Sequence, residues 1–408
     1  MLRTYAAAIA LCCAALEGAA APAQADNFQL LYAFTGGRHG DHPYASLLKV
    51  GGRLYGTTIG DGAFGGGTVF SLDPATGDEK LVYSFGRGHD AAFPYASLLN
   101  VGGTLYGTTI TGGAFGHGAV FSLSPKTGAE AVVYSFQSGS DGAGPQASLI
   151  DVGGTVYGTT TFGGGSTACK YGCGTVFSLN PTTGAETVVY YFQGGSDGAG
   201  PGASLINVGG MLYGTTNNGG NTNCYAGCGT VFSLDPTTGT ETILHAFRRI
   251  GDGAYPSAAG LVAVGGRLFG TTTNGGSTNC TEGCGTVFSM NLTTGVEKVV
   301  YPFPGGSDGD SPFAGLIKAG GTLYGTTLFG GAADRGTVFS MNPKTGAETV
   351  LYSFQGDGDG DNPYAGVIDV GGTLYGTTGY GAPKNCGGTS CGTVFGLTPS
   401  LAAPAAVR

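Results

Sequence analysis

A five-residue phrase, Leu-Tyr-Gly-Thr-Thr or a near copy, recurs seven times in this chain, beginning at Leu54, Leu105, Val156, Leu212, Leu268, Leu323 and Leu374. Successive copies are separated by 51, 51, 56, 56, 55 and 51 residues. Repeats of about fifty residues made of strand-forming pieces build closed rings, because one unit cannot bury its own apolar faces. The 408 residues therefore read as one large ring rather than several independent domains. Glycine fits the same logic. The chain has 83 of them, a level that elsewhere signals low complexity. The unit from Gly102 to Val152 alone contains eleven, so seven units account for nearly all of it as turn chemistry.

The stretch from Gln146 to Phe192 is representative. Ala147–Val152 reads as a short strand A, Gly153-Gly154 as a two-residue hairpin turn, and Thr155–Thr160 as strand B. A Gly- and Cys-containing loop follows, then strand C at Gly174–Leu179, the turn Asn180-Pro181-Thr182-Thr183-Gly184, and strand D at Glu186–Phe192. Four antiparallel strands make one blade, so the expected fold is all-β: a seven-bladed β-propeller. Gly158 and its counterparts in the other copies are expected to let adjacent sheets approach closely. Phe28–Phe34 matches a strand D, whereas Tyr364–Leu397 supplies A, B and C without a D. The N-terminal strand is thus expected to join the last blade and close the ring, which removes free sheet edges.

Residues 1–25 read as a secretory leader: Arg3, an apolar run from Tyr5 to Leu16, and an Ala23-Gln24-Ala25 cleavage site. Residues 26–399 form the propeller and 400–408 a short tail. The leader's apolar run is too short to span a bilayer, and no later segment approaches the length. A lipoprotein reading of Cys12 and Cys13 fits poorly, since Leu11 and Cys12 stand where a small residue is needed. The expected location is secreted or periplasmic, with cell-surface association as a variant. With 17 basic and 26 acidic residues the formal charge is −9, and no basic stripe suggests nucleic acid as a partner.

Hairpin geometry sorts the loops. The A–B and C–D turns emerge on one face and are nearly invariant; the B–C loops and D–A connections emerge on the other and vary, which places any binding site there. Eight cysteines beyond the leader lie in B–C loops as local couples: Cys169/Cys173, Cys224/Cys228, Cys280/Cys284 and Cys386/Cys391. In an exported chain they read as disulfides. Zinc held by thiolates of two neighbouring couples is the rival reading.

Six D–A connections carry an Asp four residues before a Pro: Asp90, Asp141, Asp197, Asp252, Asp308 and Asp359. The remaining one has His39 there, followed by Asp41. These residues could hold sugar hydroxyls or Ca²⁺, or simply form Asx-turns, each Asp bonding its own backbone. Asp357-Gly-Asp359-Gly-Asp361-Asn362 resembles the start of a calcium loop, but Ile368 stands where an EF-hand needs Glu. Weak calcium binding is the only cofactor expectation. His39, His42, His89, His117 and His245 show no metal-ligand spacing. Gly60-x-Gly62-x-x-Gly65 lies in a hairpin loop, not before a helix, and is no dinucleotide fingerprint. Trp is absent, so a sugar-stacking surface would use Phe64, Phe115, Tyr171 or Tyr225.

The units Gly-Gly-Thr-Leu-Tyr-Gly-Thr-Thr (102–109), Gly-Thr-Val-Phe-Ser-Leu-Asp-Pro-Thr-Thr-Gly (229–239) and Val-Tyr-Ser-Phe (133–136) resemble the bacterial GloVer tandem repeat of choice-of-anchor proteins. That resemblance implies an exported, surface-associated repeat protein and carries over no catalytic residue. Ser400–Arg408 shows neither the anchor nor the sorting motif of the pattern. A weaker likeness is to kelch propellers, whose usual Trp is missing. The expected function is a monomeric, non-enzymatic propeller that binds a glycan or protein through the B–C/D–A face. The alternatives are a carbohydrate-active lyase or hydrolase using carboxylates and His on that face, and a structural surface-layer component. Convergence of His39, Asp61, His117, Lys170, Glu282 and Arg335 in one pocket would favour the enzyme.

Overall fold

The computed structural model describes residues 27–256, 260–356, 358–382, 385–386 and 389–399. The expected leader and tail, and Asp357, lie outside the described residues. Seven four-stranded antiparallel sheets follow one another in the chain. In blade 3, strand A is Ile150–Val152, B is Thr155–Thr160, C is Thr175–Leu179 and D is Glu186–Tyr191, hydrogen-bonded in that order. Blades are numbered from the sheet that begins at Leu48–Val50. Blade 7 takes A, B and C from Ile368–Val370, Thr373–Thr378 and Thr393–Leu397, and its D is the N-terminal strand Phe28–Ala33. Phe28 pairs with Leu397 and Ala33 with Thr393. The seven-bladed ring closed by the N-terminal strand is therefore the observed architecture. Among the described residues no helix is long and apolar enough to cross a membrane.

The hairpin ends follow from residue chemistry. Gly153 and Gly154 have φ of 62° and 87°, the pair of positive angles that a type I′ turn demands. In the C–D turn, Asn180 Oδ1 accepts the backbone N–H groups of Thr182 at 2.9 Å and Thr183 at 3.0 Å.

Strand A is shorter than the sequence suggested. Only Ile150–Val152 pairs with strand B, and Ala147–Leu149 runs beside it without a ladder. That segment is instead met across the seam by the first Thr of the pair that ends strand B of the preceding blade. Thr108 Oγ1 donates to the Ala147 carbonyl of the next blade at 3.0 Å, and Thr377 Oγ1 to Ala45 at 3.2 Å, sealing blade 7 to blade 1. The second Thr stays in its own blade: Thr160 Oγ1 lies 2.8 Å from Thr175 Oγ1.

The glycine of the pentapeptide has a different role from the one expected. A Cβ at Gly158 would stand 2.6 Å from Cζ of Phe177, its cross-strand partner in the same blade, and 2.7 Å from Leu149 Cδ2. The missing side chain makes room for a phenylalanine of its own sheet, not for a neighbouring sheet. The same distance is 2.5–2.7 Å in all seven blades. Each such ring then meets, edge to face, the Phe that follows strand D of the preceding blade. The pairs run from Phe34/Phe70 to Phe354/Phe395 around the whole ring, with centroids 4.8–5.2 Å apart. At about 0.5–1.5 kcal/mol per aromatic pair beyond area burial, this zipper is a principal adhesive between blades.

Candidate functional site

The acidic residues of the D–A connections have a repeated set of partners. Asp141 Oδ2 accepts the Gln137 backbone N–H at 2.8 Å and the Tyr134 hydroxyl at 3.1 Å, seven residues earlier on strand D. Asp197 does the same with Gln193 and Tyr190, both at 2.6 Å. Asp90 takes Tyr83 at 3.0 Å, Asp308 takes Tyr301 at 2.7 Å, and Asp359 takes Tyr352 at 2.7 Å. In blade 4 the partner is His245, whose Nε2 lies 3.0 Å from Asp252 Oδ2. These carboxylates each cap their own connection along the blade seams and do not gather in one place. A glutamate at the start of the next strand D faces each such Tyr–Asp pair at four seams. Burial first, then the charge of Asp90, pushes Glu130 up to about 7, against the lowering effect of its Tyr83 hydrogen bond. Glu186 and Glu241 also reach about 7 and Glu348 about 8, burial leading in each case.

The other candidates are scattered. His39 Nδ1 lies 2.8 Å from Glu79 Oε2. Asp41 is buried with its Oδ1 3.1 Å from His42 Nδ1, and Asp361 is buried against Arg335 at 2.7 Å. Asp61 Oδ2 accepts the Gly37 N–H at 2.6 Å, Glu282 pairs with Arg249, and Lys170 Nζ sits 4.9 Å from the Tyr171 ring centre. The six residues whose convergence would have marked a catalytic pocket thus keep separate neighbours. His89 and His117 are exposed.

All four expected disulfides are formed, Cys169–Cys173, Cys224–Cys228, Cys280–Cys284 and Cys386–Cys391, each tying one B–C loop. Closing so short a loop stabilises by about 2 kcal/mol in the chain-entropy model. Oxidised sulfur also removes the thiolates that zinc would require.

What sequence reasoning did not find is an aromatic cluster at the mouth of the axial cavity. Segments leading into strand A of all seven blades line a space of about 380 Å³. The residue after the Pro of five D–A connections reaches this mouth with a large side chain, as Tyr44, Tyr95, Gln146, Phe313 and Tyr364. Tyr44 is the hub. Its ring centre lies 4.3 Å from Tyr364, 5.7 Å from Tyr95 and 6.2 Å from Tyr380, and Phe313 stacks edge-on against Tyr364 at 5.7 Å. The Tyr44 hydroxyl donates to that of Tyr380 at 2.7 Å, and His42 packs on the Tyr380 ring at 4.9 Å. Burial pushes the Tyr95 phenol up to about 12; burial, then the bond to Tyr380, raises that of Tyr44, so both remain neutral hydroxyls. The opposite wall is small and polar, with Gln146, Ser148, Ser204 and Asn217. No Asp, Glu, His, Lys or Arg lines this cavity among the described residues. The signal was available as an aromatic recurring directly after Pro43, Pro94, Pro312 and Pro363.

The loops of the same face also expose apolar side chains. Phe64, Phe93, Phe115, Phe162, Tyr171, Tyr225, Ile250 and Phe329 are exposed, and all belong to B–C loops or D–A connections. Tyr225 is 95% exposed and Ile250 85%. On the opposite face Val296 is the one large apolar side chain of a turn that is comparably open among the described residues.

The Gloeobacter/Verrucomicrobia repeat matches residues 19–171, 166–322 and 277–405. The chain belongs to that repeat family. No curated protein matches it. Among solved structures, this repeat ring is similar to the extracellular domain of the putative hybrid two-component system BT4673 from B. thetaiotaomicron, at 10% identity and TM-score 0.59 over 90% of this chain and 39% of that one. An oligogalacturonate lyase in complex with manganese matches at 14% identity and TM-score 0.53, covering 93% of this chain and 98% of the lyase. TolB from Acinetobacter baumannii matches at 16% identity and TM-score 0.44 over 74% of this chain and 64% of TolB. The repeat chain therefore spans under two-thirds of the length of two of these three. At such identities the likeness is one of fold.

Proposed function

We propose that this repeat protein is an exported, non-enzymatic propeller that binds a glycan or a protein through its B–C/D–A face. The carrying observation is the concentration of exposed aromatic and apolar side chains on that face, which also bears the tyrosine-lined mouth. Exposed apolar groups gathered on one face mark interaction surfaces, and neutral phenols beside Gln and Asn suit sugar rings, which present CH faces and hydroxyls together. The four disulfides support export, since such bonds persist in oxidising compartments.

A carbohydrate-active lyase or hydrolase is the second reading. The observation that favours it is the His42–Asp41 pair at 3.1 Å, next to the Tyr380 ring. A glycan array probed with the mature chain, with and without calcium, tests the first reading, and Tyr95→Ala and Phe313→Ala variants locate the site. Binding that falls at least tenfold in both variants supports it. No binding under either calcium condition removes the glycan version, and release of shortened or unsaturated sugars would favour the second reading.

A further inference from the structure

One seam departs from the pattern of the others in a chemically specific way. At the seams following blades 1, 2, 3 and 5, a tyrosine hydroxyl stands between a connection Asp and a Glu of the next strand D: Tyr83 with Asp90 and Glu130 is the first such set. Between blades 4 and 5 the tyrosine is replaced by His245. The imidazole faces Asp252 from its own blade and Glu297, the first residue of strand D in blade 5 (Glu297–Pro302). One ligand atom from each of the three lies within 4.8 Å of the other two. Glu297 Oε1 is buried and has no hydrogen-bond partner.

We propose that His245, Asp252 and Glu297 form a site for a divalent transition-metal ion of the Zn²⁺ or Mn²⁺ class that staples blade 4 to blade 5. A neutral phenol is a poor metal ligand and its one proton serves the two carboxylates, whereas the lone pair of neutral imidazole is a common metal ligand. One nitrogen and two carboxylate oxygens at this spacing are the donor set such ions take, with water completing the shell. A cavity of about 390 Å³ lined by His245, Ser196 and Arg248 gives an approach from solvent. Two cations stand near. Arg248 lines that cavity, and Arg267, whose guanidinium is bonded to Ser289 Oγ at 2.7 Å, offsets part of the rise that burial gives the Glu297 carboxyl. The unoccupied alternative is an imidazolium shared by the two carboxylates, and it is what the experiment must separate from the metal site.

The two other three-residue clusters of this kind each include cysteines already committed to disulfides: Cys280 and Cys284 with Asp310, and Cys386 with Asp41 and Asp61. They are not comparable sites.

The test uses the full mature chain with any affinity tag removed, stripped with EDTA and titrated with Co²⁺ by absorbance and with Zn²⁺ by calorimetry and thermal melting. Expected is one equivalent bound at this seam, with a Tm that rises with zinc. His245→Tyr restores the residue that the six other blades carry, so it should fold; its affinity should fall by at least about tenfold and its Tm should ignore zinc. Glu297→Gln should weaken binding similarly. Equal binding by the parent chain and both variants, or no uptake by the stripped parent, overturns the proposal.

Discussion

The two faces of the ring are built from the same strands and differ in what their turns are asked to do. On the A–B/C–D face, Gly153-Gly154 and Asn180–Gly184 recur with the same backbone bonds from blade to blade, and the side chains there serve the turn itself. On the B–C/D–A face the backbone is equally well bonded, yet the loops also carry disulfides, exposed aromatics and the mouth of the axial cavity. The contrast teaches that repetition here marks packing and that departures from repetition mark chemistry. Tyr44, Tyr95 and Tyr364 against Gln146 at one repeat position, and His245 against tyrosine at another, are the departures that matter most.

That contrast can be broken by experiment. The largest effect is expected in the repeated core: Gly214→Ala would place a methyl 2.6 Å from Phe232 Cζ, costing about 1–3 kcal/mol in urea unfolding. An unchanged midpoint would show that the glycine is not there for the ring. Next is Asp141→Ala, which strips the cap from Gln137 N–H and leaves the Tyr134 hydroxyl with Glu186 as its one carboxylate partner, for about 1–2 kcal/mol of stability. If Asp141 acted mainly as a ligand, calcium affinity would fall and stability would not.

A smaller, graded effect is expected with pH. Glu130, Glu186 and Glu241 titrate near 7 and Glu348 near 8 in the folded chain, against an ordinary 4.5. Between those values the folded chain holds protons that the unfolded chain releases. Their contribution is therefore full below pH 4.5 and is lost as pH rises through 7 to 8. Urea midpoints measured from pH 4.5 to 8.5 should decline, and Glu348→Gln should flatten the decline. The smallest stability effect belongs to the variable face. Tyr225→Ser should change unfolding by less than about 0.5 kcal/mol while weakening partner binding. Equal losses in both would make that tyrosine part of the scaffold.

Much of the ring was legible because its determinants are local. Strand B at Thr155–Thr160 runs between a Gly-Gly turn and a glycine-rich loop, and the cysteine couples are four or five residues apart. The shortness of strand A was not legible, since the contacts of Ala147–Leu149 include a threonine of another blade. The tyrosine cluster escaped for the same reason in larger measure: Tyr44 and Tyr380 meet only because the ring closes, 336 residues apart. The structural partner of each connection Asp was readable in principle as the residue seven positions earlier, and that spacing also exposes His245 as the odd member.

The pairing of Phe28–Ala33 with Thr393–Leu397 imposes a timetable on this molecule. Six sheets can assemble from neighbouring sequence as soon as each is made, but the seventh needs the first strand of the chain to wait for the last. Contacts of such sequence separation are slow to form. Until they do, blade 7 keeps an open edge and blade 1 lacks its neighbour, so the unsealed ring is the state most exposed to proteases and to pairing with another chain. The interval between emergence of Phe28 and arrival of Leu397 is when this protein is most vulnerable.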